Sequence, residues 1–288
     1  MELKYITPPT NLGGGAVPDA GTIHISEVKP TLDQLTVDLG WPVNFNELAI
    51  GSTGKRDYSG DIDLVISPYE YAGVPENLID DLSLLFGKEN VARNGSMVHL
   101  KYPITDYDES KLERLPRTKF VQIDFCFGYK EWEQLFHFSS SDSGYKGSHR
   151  NLALAAVAAM KDNDPTSELD DFGRPIGEGR WKWGPNGLFR VYRESKRNFK
   201  TGKYIRKQDD TILSGPHKDP VSIANILFRQ GTVKDLDSLE TVINAVKRSY
   251  PANIQIDIWK RMAKHFNEWK DGKSFYYPDE IQPFIESN

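Results

Sequence analysis

Residues 51–66 read Gly-Ser-Thr-Gly-Lys-Arg-Asp-Tyr-Ser-Gly-Asp-Ile-Asp-Leu-Val-Ile, a glycine-containing turn followed by two acids on an apolar segment. On a strand, alternate side chains share a face, so Asp61 and Asp63 lie together. The opposite face, which can be buried, carries Ile62, Leu64 and Ile66. Two carboxylates this close repel each other, and cations placed between them relieve the repulsion. Because hard oxygen donors suit Mg²⁺ or Mn²⁺, the stretch predicts a site for one of these metals.

A third acid interrupts another apolar stretch, residues 119–127. The alternation predicts a strand with one wholly apolar face, and it places Gln122, Asp124 and Cys126 together on the other face. If this strand lies beside the first, three carboxylates converge and can hold two divalent ions about 3.5–4 Å apart. We interpret Cys126 as a small buried hydrophobic residue beside the acids.

This combination of a Gly-Ser turn, Asp-x-Asp on a strand and a later isolated strand acid resembles the DNA polymerase β-type nucleotidyltransferase superfamily. The resemblance covers less than a third of the chain. It implies that Gly51 and Ser52 hold the triphosphate of a nucleotide. It also implies that Asp61 and Asp63 bind the metal ions, and that Asp124 completes the metal site and helps to deprotonate the acceptor hydroxyl.

Two other readings of the same stretch are excluded. An EF-hand needs further oxygen ligands and a closing Glu, but Leu-Val-Ile-Ser-Pro follows Asp63. A P-loop fails because Ala49 stands where its first glycine belongs and Arg56 where Ser or Thr must bind Mg²⁺. We assign the charges of Lys55 and Arg56 to nucleotide binding instead.

The composition is that of a globular protein, with 38% hydrophobic and 27% charged residues among 288 and a net charge of −5. A single cysteine excludes an internal disulfide framework and favours a reducing compartment. There is no apolar run of about 18 residues and no signal-peptide pattern, so we expect a cytoplasmic protein. The six histidines lack zinc-type spacing, so we interpret the metal as magnesium rather than zinc.

The pattern of elements predicts an α/β (α+β) fold with a small mixed sheet backed by helices. Residues 1–23 are rich in Gly and Pro and predict an irregular arm, either a disordered tail or an active-site flap. Residues 24–162 form the predicted nucleotidyltransferase core. Within it, we predict helices over 30–39 and 77–86 and strands over 46–50 and 97–102.

A second candidate phosphate site precedes an Ala-rich helix predicted over 151–161. Backbone N–H groups at a helix start attract phosphate, and Lys146, Ser148 and Arg150 add donors and charge. The alternative is that Ser148 only caps the helix.

Residues 163–218 are predicted to form a basic, aromatic insertion. Within 180–207, ten Lys or Arg accompany a single acid, while the chain as a whole is acidic. Interleaved aromatic residues and a turn at Pro-Asn-Gly predict a hairpin that contacts single-stranded nucleic acid through phosphates and bases. The alternative is a hairpin with core aromatics and solubilising charges. The expected contacts are Lys182, Arg190, Arg193, Lys196 and Arg197.

From residue 219 onward the apolar stripes predict a small helical bundle, which begins at the N-cap Asp219 followed by Pro220. Such a module commonly follows the core in the superfamily that the sequence resembles. The glycine-rich arm and helical tail also resemble phage-encoded nucleotidyltransferases.

We therefore expect a two-metal nucleotidyltransferase that moves NMP from an NTP such as ATP to an acceptor hydroxyl and releases pyrophosphate. One metal lowers the pKa of the hydroxyl and the other stabilises the leaving group. The basic segment favours an RNA end as the acceptor. A small molecule, a protein side chain, or a catalytically inactive nucleic-acid-binding homologue remain alternatives.

Overall fold

The computed structural model describes residues 15–55, 57–67, 75–95, 97–111, 118–138, 140–159, 177–197, 201, 204–206, 210–269 and 277–285. The chain divides into two compact units, Met1–Asp142 and Ser143–Asn288. The predicted boundary at residue 162 falls inside the second unit. Residues 1–14 of the predicted arm lie outside the described residues.

The N-terminal unit contains helices and a mixed five-stranded sheet. Its elements are β1 (Ile23–His24), α1 (Ile25–Leu39), α2 (Phe45–Leu48), β2 (Ala49–Ile50), β3 (Tyr58–Ser59), β4 (Ile62–Ile66), α3 (Pro75–Phe86), β5 (Val91–Asn94), β6 (Met97–Pro103), β7 (Phe120–Phe127) and α4 (Lys130–Phe136). The strand order in the five-stranded sheet is β2-β4-β7-β6-β5. Strands β4 and β7 are parallel, and the other neighbours in this sheet are antiparallel. A small mixed sheet backed by helices is the predicted fold class, which is confirmed.

The apolar faces of the strands and helices form the core of this unit. In β4, Ile62 and Leu64 are fully buried, and in β7 Ile123 and Phe125 are fully buried as the alternation predicts. Helices α1 and α3 add further residues to the same cluster, among them Leu32, Leu35, Leu78 and Leu82. Each such side chain stabilises the fold by about 1.5–3 kcal/mol relative to an exposed position.

Helix α1 begins five residues earlier than predicted and keeps Pro30 inside it. The His24 ring accepts from the Ser26 N–H, and the Glu27 carboxylate accepts from the His24 N–H. This reciprocal cap sets the start of the helix at Ile25. The helix ends at Gly40, which adopts a left-handed φ of 62°.

The predicted strand over 46–50 is wrong for its first half, since Phe45–Leu48 forms the short helix α2. The Asn44 side chain accepts from the Asn46 N–H and caps this turn. Phe45 and Leu48, three residues apart, are both buried, which matches helical rather than strand spacing. Only Ala49–Ile50 pairs as a strand. The predicted helix over 77–86 is confirmed as α3, which ends before Gly87.

The C-terminal unit combines an antiparallel sheet with a helical core. Its elements are α5 (Gly147–Ala158), β8 (Gly177–Gly184), β9 (Gly187–Arg197), β10 (Tyr204–Arg206), β11 (Thr211–His217), α6 (Pro220–Leu227), α7 (Leu239–Ser249), α8 (Ala252–Glu268) and α9 (Gln282–Ile285). Strand β9 pairs with β8, β10 and β11. The predicted hairpin is confirmed, with Gly184 opposite Gly187 across the turn. The predicted Asp219 cap is also confirmed, because its carboxylate accepts from the Ser222 N–H.

Within the described part of the chain, no helix is both long enough and apolar enough to cross a bilayer.

Candidate active site

The parallel pairing of β4 and β7 places two of the predicted acids side by side. Asp63 and Asp124 are direct partners in the register, so their side chains leave the same face of the sheet about 4.7–4.9 Å apart along the hydrogen-bonding direction. Asp61 lies immediately before β4, two residues from Asp63. The structure thus brings the three acids together, on the face opposite Ile62 and Leu64.

The electrostatics of Asp63 show how much negative charge is concentrated there. Burial, and then the charge of Asp61, hold the pKa of Asp63 well above its usual range. The charge of Asp124 raises this pKa further, while His137 opposes the shift. A bound cation would therefore reduce the repulsion among the three carboxylates. Their oxygens are the hard donors that fit Mg²⁺ or Mn²⁺.

Asp124 is held by two side chains that sequence reasoning missed. His99 lies opposite Asp124 in the register of β6 and β7, and its Nδ1 is 2.8 Å from Asp124 Oδ1. The Gln122 side chain donates to the same oxygen at 2.8 Å. All three residues are buried. Two neighbouring donors fix the rotamer of the carboxylate and direct its other oxygen elsewhere.

Gln122 also connects this acid to the N-terminal segment. Its Oε1 accepts from the N–H groups of Ala16 and Val17, at 3.1 and 3.2 Å. Val17 is buried, so this contact lies inside the unit. The described end of the predicted arm is therefore attached beside Asp124, through one amide side chain.

The Gly-Ser turn lies directly against Asp63. Gly51 has a left-handed φ of +67°, and a Cβ built there would lie 2.2 Å from Asp63 Oδ2. The Thr53 hydroxyl accepts from the Asp63 N–H at 3.1 Å, which fastens the turn to β4. The Ser59 hydroxyl donates to the Ser52 carbonyl at 3.1 Å, which links β3 to the turn. A side chain at position 51 would occupy the space of the Asp63 carboxylate, so glycine lets that acid keep its position.

Lys55 folds back over the same turn. Its Nζ donates to the Gly51 carbonyl at 2.8 Å and lies 5.0 Å from the centroid of the Phe138 ring. This keeps a positive charge close to the turn, as a role in nucleotide binding requires. Arg56 lies outside the described residues.

The second candidate phosphate site lies in the C-terminal unit. The N-cap of α5 is Lys146 rather than Ser148, and the Lys146 N–H donates to His149 Nδ1. Arg150 is buried, and its guanidinium donates to the Leu236 carbonyl at 3.2 Å. Burial lowers the pKa of Arg150 to about 10. These contacts give Arg150 a structural role within its own unit, and nucleotide binding by Lys146, Ser148 and Arg150 stays a prediction.

The basic hairpin mixes core and surface residues. Trp183 is buried and packs in the unit, whereas Lys182 is exposed and its Nζ lies 3.6 Å from Asp210 Oδ2. Arg190 is partly buried on β9. The side chains of Arg193, Lys196 and Arg197 lie outside the described residues, although the backbone of β9 includes them. Contact with nucleic acid stays a prediction.

His137 is a further residue that sequence reasoning missed. One of its ring nitrogens, Cys126 Sγ and a carboxylate oxygen of Asp63 all lie within 4.8 Å of one another. Burial lowers the pKa of His137, but its hydrogen bond to Glu133 and the nearby charge of Asp63 outweigh burial and raise it. Alternation along β7 pointed to Cys126 beside Asp124, but no local pattern marked His137.

Comparison with known proteins gives only remote likenesses. No family profile and no curated protein matches the chain. Among solved structures, the chain is similar to DNA polymerase β from Leishmania infantum in a ternary gap complex, with 13% identity, a TM-score of 0.34, and coverage of 90% of this chain and 70% of that one. The ternary P/T complex of the same polymerase gives 13% identity, a TM-score of 0.33, and coverage of 91% and 77%. This degree of likeness carries no argument about activity, and phage origin stays a prediction.

Proposed function

We propose that the protein is a metal-dependent nucleotidyltransferase, which transfers NMP from an NTP to an acceptor hydroxyl and releases pyrophosphate. The observation that carries this proposal is the direct pairing of Asp63 with Asp124 on parallel strands, with Asp61 and the Gly51 turn beside them. Carboxylates crowded on one partly buried face repel each other and destabilise a fold that holds no cation, so their concentration there favours a metal-binding function over a structural one.

Asp61, Asp63 and Asp124 would hold the divalent ions, which supply Lewis-acid activation and charge neutralisation when bound. Asp124 is our candidate general base, because His99 and Gln122 fix one carboxylate oxygen and orient the other. In the proposed reaction, the acceptor oxygen forms a bond to the α-phosphorus while the bond to pyrophosphate breaks. The acceptor proton passes to Asp124.

The Gly51 turn is the proposed cradle for the triphosphate. The absence of a side chain at Gly51 lets the backbone of the turn lie against Asp63, which would put bound phosphates next to the acids. Ser52 would add a hydroxyl donor, and Lys55 and Arg56 would add positive charge. ATP is the nucleotide that we propose to test first.

The proposed acceptor is an RNA end, because basic and aromatic residues are concentrated in 180–207. The confirmed hairpin and the exposure of Lys182 support this choice. A small molecule or a protein side chain is the alternative acceptor. Each acceptor class leaves a different labelled product, so one experiment separates them.

The test is incubation with each NTP, radiolabelled in the α-phosphate, together with Mg²⁺ and an RNA oligonucleotide. We expect label on the RNA and release of pyrophosphate. Asp63→Asn and Asp124→Asn should abolish both signals, whereas Asp80→Asn, a matched change at an exposed position on α3, should leave both unchanged. In a parallel incubation, a host extract replaces the oligonucleotide. Label on a protein or metabolite of that extract, with none on the RNA, would change the proposed acceptor. RNA binding without pyrophosphate release from any NTP would refute the proposed nucleotidyltransferase activity.

A further inference from the structure

Three metal-ligating side chains meet beside the acid cluster. A carboxylate oxygen of Asp63, Cys126 Sγ and a ring nitrogen of His137 lie within 4.8 Å of one another. Cys126 is buried, while Asp63 and His137 are partly exposed, so the group has a buried end and a solvent-accessible end. We propose that these side chains bind a transition-metal cation, represented by Zn²⁺, at a site that shares Asp63 with the activating metal site.

Different elements supply the donors and hold them in place. Cys126 follows Asp124 by two residues on β7, so the strand alternation turns its thiol to the acid face. His137 follows α4 directly, and its N–H donates to the Glu133 carbonyl at 2.9 Å. The fully buried ring of Trp132 anchors that helix to the unit. The three donors therefore come from ordered backbone rather than from a free loop.

A buried carboxylate pairs with the His137 imidazole, and such pairs are usual for metal-binding histidines. His137 Nε2 lies 3.4 Å from Glu133 Oε2. Glu133 is itself buried, and a Cβ at Gly128 would lie 2.0 Å from its Oε1, so only glycine leaves room for this carboxylate. An acid in this place orients the ring and strengthens the nitrogen as a ligand.

The distances suit a small tetrahedral ion. Zinc bonds of about 2.0–2.3 Å to oxygen, nitrogen and sulfur place the ligand atoms about 3.3–3.8 Å apart. Since the three donor atoms are already within 4.8 Å, each must move inward by about 1 Å or less. Small rotations about side-chain bonds supply that movement. A water molecule would complete the fourth position, as in zinc sites with three protein ligands.

Ligand chemistry separates this site from the carboxylate site. Thiolate and imidazole favour Zn²⁺ and similar ions, whereas Mg²⁺ prefers oxygen ligands and octahedral geometry. The two sites compete because both need Asp63. Binding of Zn²⁺ should therefore inhibit the Mg²⁺-dependent reaction. This inhibition rests on the proposed function, but the binding site itself does not.

The first experiment titrates untagged, reduced protein with Co²⁺ in the absence of Mg²⁺ and follows the thiolate-to-cobalt charge-transfer absorption. Because the chain has a single cysteine, this band reports Cys126 alone. We expect one equivalent of Co²⁺ to produce the band, and an equivalent of Zn²⁺ to remove it. Cys126→Ser and Cys126→Ala should lack it. His137→Gln should weaken binding at least tenfold, and the matched change His265→Gln in the other unit should not.

Two further titrations test the shared ligand and the supporting acid. Excess Mg²⁺ should raise the apparent Kd for Co²⁺ in the wild type, because both ions need Asp63. Glu133→Gln should weaken Co²⁺ binding about 10–100-fold. No band in folded wild-type protein would overturn the site, and a band insensitive to His137→Gln would overturn the ligand set. An apparent Kd unaffected by Mg²⁺ would overturn the overlap.

The second experiment measures NMP transfer at fixed Mg²⁺ with increasing Zn²⁺. Wild type should be inhibited, whereas Cys126→Ala should need at least tenfold more Zn²⁺ for the same fractional inhibition of its own Zn²⁺-free rate. Equal Zn²⁺ sensitivity of the two proteins would overturn the inhibitory role. If wild type shows no transfer at all, the proposed function fails, while the Co²⁺ titrations still decide the metal site.

Discussion

Replacing Gly51 by Ala should abolish metal and nucleotide binding at the turn while the protein still folds, with a measurable loss of stability. A Cβ at this position would lie 2.2 Å from Asp63 Oδ2, 3.1 Å from its Cγ and 3.5 Å from its Cβ. The atom in the way is the far end of a side chain, so the backbone can stay in place while Asp63 rotates. The acid then leaves the position in which it faces Asp124.

The energetic cost has two parts. Gly51 has a φ of +67°, and a non-glycine residue in the left-handed region costs about 1–2 kcal/mol. Forcing Asp63 from its rotamer adds about 0.5–1.5 kcal/mol. Gly54 supplies a matched control, because it has a φ of +68° and nothing lies within 4 Å of its built Cβ. Gly54→Ala should therefore lose only the backbone contribution of about 1–2 kcal/mol, without any displacement of Asp63.

The assay combines denaturant unfolding with metal and nucleotide binding. Both variants should lose about 1–2 kcal/mol of stability from the backbone, and Gly51→Ala should lose about 0.5–1.5 kcal/mol more. Divalent metal plus NTP should raise the Tm of Gly54→Ala as in the wild type, but not that of Gly51→Ala. Adding Asp63→Ala to Gly51→Ala should remove the extra loss. Identical stability and metal response in the two single variants would refute the contact between the turn and the acid.

Other consequences concern the acids, their support and the basic hairpin. The raised pKa of Asp63 stabilises the metal-free fold below the carboxyl's ordinary pKa, and this contribution is lost as pH rises through the folded-state pKa. Melts in EDTA should therefore show Asp63→Asn gaining on wild type as pH rises from about 4 to 8, and a constant difference would contradict this. His99→Ala should lower kcat about 10–100-fold with little change in KM, whereas His99→Asn should recover part of the rate. Equal loss in both variants would make the role of the ring structural. Lys182→Glu with Arg197→Glu should reduce the salt slope of RNA binding by about one unit per lost phosphate contact without changing NTP affinity, and an unchanged slope would remove these residues from the interface.

The acid cluster could be predicted because strand alternation is a local property. Asp61, Asp63 and Asp124 stand out as charged residues in apolar stretches, and a period of two places them on the face away from the core. The pairing of Asp63 with Asp124 depends on two strands whose acids are about sixty positions apart in the sequence. The sequence alone therefore predicted a three-acid site only on the condition that these strands are neighbours. His99 escaped notice for the same reason, because it meets Asp124 through the pairing of β6 with β7.

Element boundaries failed where a side chain competed with the local pattern. Pro30 marked a helix start, but the reciprocal cap between His24 and Glu27 began the helix earlier. The Asn44 cap turned an apparent strand into a short helix. His137 could not be predicted, since it reaches Asp63 only after the chain has turned through α4. The two caps are local contacts that override the apolar pattern, whereas the contact of His137 with Asp63 links residues far apart in the sequence.

The side-chain amide of Gln122 uses its oxygen and its nitrogen for different contacts, so deamidation or loss of either contact would change how it holds Asp124. Its oxygen accepts from the backbone of Ala16 and Val17, and its nitrogen donates to Asp124. Deamidation would replace that donor with a second carboxylate oxygen facing the acid, while the contacts to the N-terminal segment survived. Proteolytic removal of residues up to Val17 would instead remove the two N–H groups that hold the Gln122 oxygen, and the amide could then flip. Old or clipped preparations would thus weaken the orientation of Asp124, which would keep its contact with His99, while the sheet stayed intact.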